Sequence, residues 1–520
     1  MKRALIFIYT LLFTISFCLA QRFDPAQASK SLVRVVVAVN PKESKVLTGF
    51  IWKSPNQIVT SLHGMSRTGD IKVVYPGNAV RKMRIKQVLE KADLVLLEVS
   101  PGQPAPPSSL TPITQLNVAN ITFGSEVFAL GYNSGAQGSS TRILKKGYVD
   151  PELLSNLIPE KDRKQIQSLG YPDLNMHILY VEGSLLPGYS GAPIFDAQGK
   201  LIGIGNGGLE NGASNVSWII PCRYLQELEA STSTNLPQNL ERLNQLYSAT
   251  SSISLESDNE DQIEKALNQQ SNLFRPVKSR EFEFYKTKNR SIIELTETSD
   301  NPSNILKLNN EITKQFNVQI DLDKIRFDIY EDIQNGVIVV VPEGLKLDVI
   351  NRMTDEEALT VKFENNDFTY LAYGVIKDDS YELNDVSMNE IIDFLDEEYF
   401  TVLAQTFGIS GFYVADDYTY VEEDYASDRK TVHISATGAE LIYSPIDGRQ
   451  YGISTYITLL INQNKVILTS AVTAIPSDLL VNAALFGINC MGSNSTGVDC
   501  KRFLDFYSAF TAAHLTTFAY

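Results

Sequence analysis

Two successive antiparallel β-barrels followed by a separate acidic α+β domain is the fold that this 520-residue sequence predicts. Three observations lead there. Residues 30–226 consist of short apolar runs separated by turns rich in Pro, Gly and Asn, a pattern of barrels and not of helical layers. From Glu281 onward strand-like and helix-like segments alternate, which argues α+β. Charge divides the halves: residues 21–230 hold 21 Lys and Arg against 17 Asp and Glu, residues 231–520 hold 22 against 44. A composition of 43% hydrophobic and 20% charged residues is that of a globular protein, and the length exceeds what one core accommodates.

In chain order, residues 1–20 read as a secretory signal. Lys2 and Arg3 precede an apolar run from Ala4 to Leu19, and Cys18-Leu19-Ala20 offers a small-residue cleavage site before Gln21. The run is too short to favour a retained membrane span, so no integral span is expected after its removal. Cys18 raises a lipid-anchored alternative, against which stands the bulky Phe17. The first domain then occupies 28–229. Leu32 to Val39, Lys45 to Trp52, Ile58 to Thr60, Ile71 to Tyr75, Met83 to Val88 and Leu94 to Val99 supply strands of one barrel. Pro101 to Pro107, with four prolines, connects to a second, which contains Glu126 to Gly131, Thr141 to Val149, Ile178 to Glu182, a hairpin around 194–204 and Val216 to Ile220, and closes with a short helix from Cys222 to Leu228. Pro151 to Leu169 has helical periodicity and mixed charge, and reads as a surface insertion.

The chemistry lies around Gly188-Tyr-Ser190-Gly-Ala-Pro. Gly188 and Gly191 lack a Cβ, so the backbone beside Ser190 can take φ > 0 and turn its N–H groups toward one point, where an oxyanion would be stabilised. A serine so placed needs a base. His63 ends the apolar run Ile58-Val-Thr-Ser-Leu-His63, and Asp93 opens Ala92-Asp93-Leu-Val-Leu-Leu, a carboxylate at the mouth of a strand that can orient an imidazole. His177 precedes an apolar strand and reads as a strand-edge histidine.

These three segments, in the order His, Asp, Ser, resemble the trypsin-like (chymotrypsin-fold) serine proteases, in their disulfide-free bacterial branch. The resemblance covers roughly 30–226. It implies a chymotrypsin-like double barrel, with Ser190 as nucleophile, His63 as general base and acid, Asp93 holding the tautomer, and the Gly188 and Ser190 amides forming the oxyanion hole. It also implies a substrate pocket based on Ser184, six residues before the nucleophile, with walls including Gly205 and Ser217. Ser184 carries no charge, so the pocket lacks the carboxylate that would pair with Lys or Arg, and cleavage after apolar residues is the expectation. Tyr189 before the nucleophile and Gly64 after His63 depart from the usual pattern, and Tyr189 is expected to narrow the cleft. The alternative is a binding or adaptor protein on an inactive protease scaffold; the intact set of three residues favours the enzyme.

Residues 230–280 are polar and acidic and read as a linker, and 281–520 as the α+β domain. There, Ile325 to Tyr330, Gly336 to Val341, Leu359 to Phe363, Phe368 to Ile376, Val432 to Ile434, Gly452 to Ile461 and Lys465 to Ala471 are predicted strands. Met388 to Tyr399 is a predicted helix with Ser387 as its cap, and Ser477 to Phe486 and Phe503 to His514 are two more. Tyr413 to Tyr425 interleaves carboxylates with aromatics but lacks the ligand spacing of a calcium loop. Cys490 and Cys500 flank a short loop, which in an oxidising compartment favours a disulfide. No Cys/His cluster or phosphate-binding glycine loop is visible, so no cofactor or metal is expected. The acidic half repels nucleic acid and anionic lipid, so neither is an expected partner; the resemblance implies a protein or peptide substrate, and the N-terminal signal a secreted or periplasmic location.

Overall fold

The structure, a computed structural model, describes residues 23–518 except 41, 68, 137, 209–215, 241, 243–250, 255–262, 264, 268–276, 299–317, 346, 352–356, 363–368, 378–386, 416–418, 425–428, 445–446, 463–464 and 492–496. The signal read at 1–20, with Cys18, lies outside these residues. The chain divides into two compact units, 1–275 and 276–520.

The first unit contains two barrels. The first is formed by β1 (Leu32–Asn40), β2 (Glu43–Ile51), β3 (Gln57–Ser61), β4 (Ile71–Val74), β5 (Val80–Leu89) and β6 (Leu94–Val99), ordered β1-β4-β5-β6-β3-β2 and closed by the pairing of β1 with β2. Closure leaves no edge strand to seek a partner. Alternation along β1 sends Val33, Val35 and Val37 into the main core and Val36 outward, where it meets Val46, Val74 and Val80 on a second apolar face. The second barrel comprises β7 (Glu126–Gly131), β8 (Ser140–Lys146), β9 (Leu179–Glu182), β10 (Pro193–Phe195), β11 (Leu201–Gly207) and β12 (Val216–Pro221), closed by β10 against β7. Between β8 and β9 lies helix α1 (Glu160–Leu169), ended by Gly170 at φ 85° and buried through Ile166 and Leu169. Helix α2 (Tyr224–Ala230) starts two residues later than its apolar pattern suggests, and the Cys222 thiol just before it is buried, which pushes its pKa up to about 11.

The outward face of the first barrel is covered by the stretch that composition marks as linker. Strand β13 (Ser251–Ser254) adds to β2 antiparallel, with Ile253 opposite Ser44. Ile253, Ile263, Ala266 and Leu267 are buried against Val36, Val46, Val74 and Val80. Upstream, Gln87 Nε2 donates to the Glu229 and Ser231 carbonyls, and Ser231 Oγ donates to Val88 O at 2.6 Å. Residues 230–280 are thus in part a strap on the barrel: a few apolar side chains at the right spacing outweigh a polar composition.

In the second unit a five-stranded sheet runs Val277–Lys278, Glu283–Ser291, Arg326–Asp332, Val337–Pro342, Thr517–Phe518. A larger sheet has the path Leu347–Asn351, Glu357–Lys362, Tyr370–Lys377, Lys465–Pro476, Gln450–Asn462, Arg429–Gly438, Phe412–Val414, with Tyr420–Asp424 also on Arg429–Gly438 and Ile442–Tyr443 on Gln450–Asn462. Besides a short helix at Ile292–Thr298, the described helices include α3 (Met388–Leu395), α4 (Thr401–Phe407), α5 (Ser477–Phe486) and α6 (Val498–His514). Ser387 caps α3 in a reciprocal box with Glu390. Tyr413 and Tyr420 belong to sheet strands, while 416–418 and Tyr425 lie outside the described residues. A disulfide joins Cys490 to Cys500 beneath the start of α6. Where α6 meets the sheet, the buried rings of His433 and His514 lie 4.8 Å apart, and Tyr456 OH and His514 Nδ1 are within hydrogen-bond distance at 2.8 Å.

Candidate active site

Strand pairing brings the first two residues together. β3 and β6 run antiparallel with Ser61 opposite Leu94, so the residues just beyond, on the turn Leu62–Gly64 and at Asp93, face each other. Leu62 N donates to Asp93 O at 2.9 Å and His63 N to Asp93 Oδ1 at 2.8 Å. Asp93 Oδ2 then lies 2.5 Å from His63 Nδ1. Asp93 holds a left-handed backbone at φ 52°, a conformation that Asp tolerates better than most residues. Gly64 follows for steric reasons: a Cβ there would lie 1.9 Å from Leu47 Cδ2.

The third residue comes from the other barrel. Ser190 Oγ lies 2.8 Å from His63 Nε2, and all three side chains are buried. With Nδ1 held by the carboxylate, Nε2 is the nitrogen left to accept a proton from the hydroxyl. Exclusion of bulk water leaves the attraction between Asp93 and a protonated His63 little screened.

Thr48 on β2, which local sequence does not mark, ties the nucleophile loop to the first barrel. Its N–H donates to Ser190 O at 3.1 Å and its Oγ1 to Gly188 O at 2.7 Å, while Thr48 O accepts from Thr60 Oγ1. Ser134 N donates to Pro187 O, and because a trans peptide sets N–H opposite C=O, the Gly188 N–H points away from Ser134. Both peptides around Gly188 are therefore pinned. Gly191, at φ 82°, lies so near this clamp that a Cβ would be 2.3 Å from Thr48 O. Tyr189 is buried with its hydroxyl donating to Ser140 O at 2.7 Å, so it braces β8 from inside the barrel and does not narrow the cleft as its bulk suggests.

Asn206 is a second residue that sequence reasoning does not single out. Along β11, Gly205 opposes Ile219 and Gly207 opposes Trp218, leaving Asn206 in a bulge. Bulges re-aim side chains. Here the Asn206 Nδ2 amine donates to Asp93 Oδ2 at 2.5 Å, so the carboxylate oxygen facing the imidazole is shared with an amide. The three residues expected to form a pocket lie around Leu185: Leu185 N donates to Ser217 Oγ at 2.9 Å, and a Cβ on Gly205 would lie 3.3 Å from Leu185 Cδ1 and 3.0 Å from Tyr189 O. Ser184, adjacent, gives its carbonyl to the buried Arg142, whose Nε and Nη2 donate at 3.3 and 3.1 Å. Among the described residues no group of three or more His, Cys, Asp or Glu is placed to hold a metal. His177 is exposed, and its backbone bridges Leu153.

Two closed barrels with this cluster between them define a chymotrypsin-like architecture, and residues 47–204 match the Trypsin-like peptidase domain family. The chain carries a trypsin-like serine protease domain followed by a further β/α unit. Among curated proteins it is 25% identical over 157 residues to Protease Do-like 1, chloroplastic, of Arabidopsis thaliana, and 23% identical over 187 residues to HhoA of Synechocystis. These matches cover 30% and 35% of this chain, and the chain spans only 32% and 42% of those relatives. Among solved structures, the Rv3671c protease from M. tuberculosis aligns with 18% identity and a TM-score of 0.33 over 41% of this chain and 86% of that one. A serine endoprotease from Yersinia pestis aligns with 17% identity and a TM-score of 0.30, over 42% and 65%.

Proposed function

We propose that the protein is an exported serine endopeptidase. The observation that carries the reading is the unbroken hydrogen-bonded series Ser190, His63, Asp93, joined at its far end by Asn206. His63 Nε2 takes the hydroxyl proton as Ser190 Oγ bonds to the scissile carbonyl carbon. The oxygen of that carbonyl gains the charge, and the amides of Gly188 and Ser190 stabilise it. His63 returns the proton to the departing amine, leaving an acyl-enzyme; water, deprotonated by the same imidazole, then releases the acid and frees Ser190. Asp93 keeps the imidazole in the required tautomer. Ser184, Gly205 and Ser217 form the pocket for the side chain preceding the scissile bond. The proposed division is a signal at 1–20, a protease domain from 28, and an accessory domain reaching 520. Export to the periplasm or beyond is supported by the basic and apolar N-terminus and by the disulfide, a bond that persists in oxidising compartments.

A fluorophosphonate probe tests the central point. The full chain should label stoichiometrically and the Ser190→Ala variant not at all. An unlabelled wild type would favour the competing reading of a binding protein on a protease scaffold.

A further inference from the structure

One edge of β2 carries the nucleophile loop and the strap in succession. β1 pairs along β2 from Leu32 opposite Phe50 to Asn40 opposite Glu43, and so takes the other edge. In an antiparallel pair, alternate residues turn their N–H and C=O groups away from the partner. Thr48 does so: its N–H donates to Ser190 O and its carbonyl accepts from Thr60 Oγ1 of β3. Phe50, Val46 and Ser44 share its parity and face the same way. Phe50 stands opposite Val59 of β3, whereas Val46 and Ser44 stand opposite Ser251 and Ile253 of β13. The order along this edge is therefore β3, Ser190, strap, and Ser251 follows Ser190 at a spacing of two β2 residues, about 7 Å. β13 also lies against the turn Asn133–Gly135, where the Ser134 N–H holds Pro187 O.

The site beside it is closed. Ser190 and His63 are both 0% exposed, so no polypeptide brings a carbonyl to Ser190 Oγ until neighbouring chain moves. On the β3 side the two barrels are knitted together: Ser61 Oγ and Gly191 N both donate to Gly205 O. On the other side the strap strand is four residues long with a single apolar anchor, Ile253. Segments with so few buried contacts open locally far more often than barrel strands.

We propose that β13 is an inhibitory strand, seated on the edge of β2 where the polypeptide following the scissile bond would pair, and displaced when a protein substrate is cleaved. The inference rests on the endopeptidase reading above and adds regulation to that site. Gly205, assigned to the side chain before the scissile bond, lies on the β3 side of Ser190, so a chain crossing the nucleophile leaves toward Val46 and Ser44. The N–H and C=O groups it meets there are those that accept an added strand, and Ser251 and Ile253 already fill them. Strap and substrate compete for one ladder, and the fraction of molecules with the strap released sets the apparent affinity.

The test uses the full-length protein and two substrates from a peptide library with the same residues before the scissile bond. One ends in a small chromogenic amine; the other continues far enough to pair with Val46 and Ser44. Ser251→Pro removes the N–H that faces Val46. It should raise kcat/KM about tenfold on the extended substrate and less than about threefold on the short one, whose leaving group never reaches this edge. An unchanged or lowered value on the extended substrate, or an equal gain on both, overturns the inference and leaves the endopeptidase standing. If Ser251→Pro does not fold, Ile253→Val decides. Loss of one methyl from the anchor should raise kcat/KM on the extended substrate about threefold, and no gain overturns the inference. Failure of wild type to label with the serine probe overturns both readings.

Discussion

In the proposed mechanism Ser190 and His63 act on one proton, so their loss is not additive. Ser190→Ala or His63→Ala should each lower kcat by about 10⁶-fold, the scale on which a serine protease suffers when its nucleophile or its base is removed, and the double variant should lose little more. Steady-state kinetics on a common peptide checks this, and additive losses would count against a shared step. Asn206 and Thr48 work one bond further away. Asn206→Ala removes a hydrogen bond to a buried carboxylate, an interaction of about 1.5 to 3 kcal/mol, so kcat should fall about 10- to 100-fold with KM little changed. Thr48→Val frees the Gly188 carbonyl and should likewise act on kcat. Loss of binding alone in either variant would show that it does not position the reacting groups. The three reacting residues are legible in the sequence because each sits in its own local signature. Asn206, Thr48 and Arg142 are not. A bulge aims the first, an inter-barrel contact gives the second its partner, and a strand facing inward buries the third; none of these is written in neighbouring residues.

At the scale of elements, the strap on the first barrel determines where that domain ends. Ile253 is buried at 3% exposure among valines of β1, β2, β4 and β5. Ile253→Ala should destabilise the first unit by about 2 to 5 kcal/mol, read as a lower denaturant midpoint at unchanged slope. A fragment ending at residue 229 should be less stable and more prone to aggregate than one ending at 275, because it exposes Val36, Val46, Val74 and Val80 together. Equal stability of the two fragments would refute the strap. Most strands are foreseeable from their apolar runs and turn residues. β13 is not, because only one of its four residues, Ile253, is apolar, and a strand completed by its partner need not look like one alone. The same holds for Tyr420–Asp424, whose acidic composition conceals its pairing with Arg429–Gly438.

Across the whole molecule, the two units should answer differently to redox state and to acid. The Cys490–Cys500 bond closes a short loop, so its reduction should destabilise the second unit by about 2 to 3 kcal/mol and leave the first transition in place. Thiol titration of the denatured, unreduced mature chain should find only Cys222; three reactive thiols would refute the bond. Acid acts through His433 and His514. Burial, together with the charge of His514, lowers His433 to about 3, and burial lowers His514 to about 4. Both are neutral in the folded chain at pH 7, whereas an unfolded histidine titrates near 6.5. Between about pH 6.5 and 3 the unfolded chain therefore binds more protons, so stability of the second unit is complete above 6.5 and declines as pH falls through that window. Calorimetry from pH 7 to 4 should show this decline, and His433→Phe should lessen its slope; a pH-independent transition would exclude the pair as its source.

The clamp at Thr48 also bears on the order in which the chain becomes dangerous. A polypeptide emerging amino end first presents His63 and Asp93 long before residue 190 exists, and the imidazole then has no hydroxyl to deprotonate. When Ser190 does appear, its loop is held only after the second barrel has closed and docked its turn onto β2. If the proposed endopeptidase mechanism operates, hydrolytic competence is thus a late product of folding, which would spare the unfinished chain, with its many extended and cleavable segments, from digestion by itself or by its siblings.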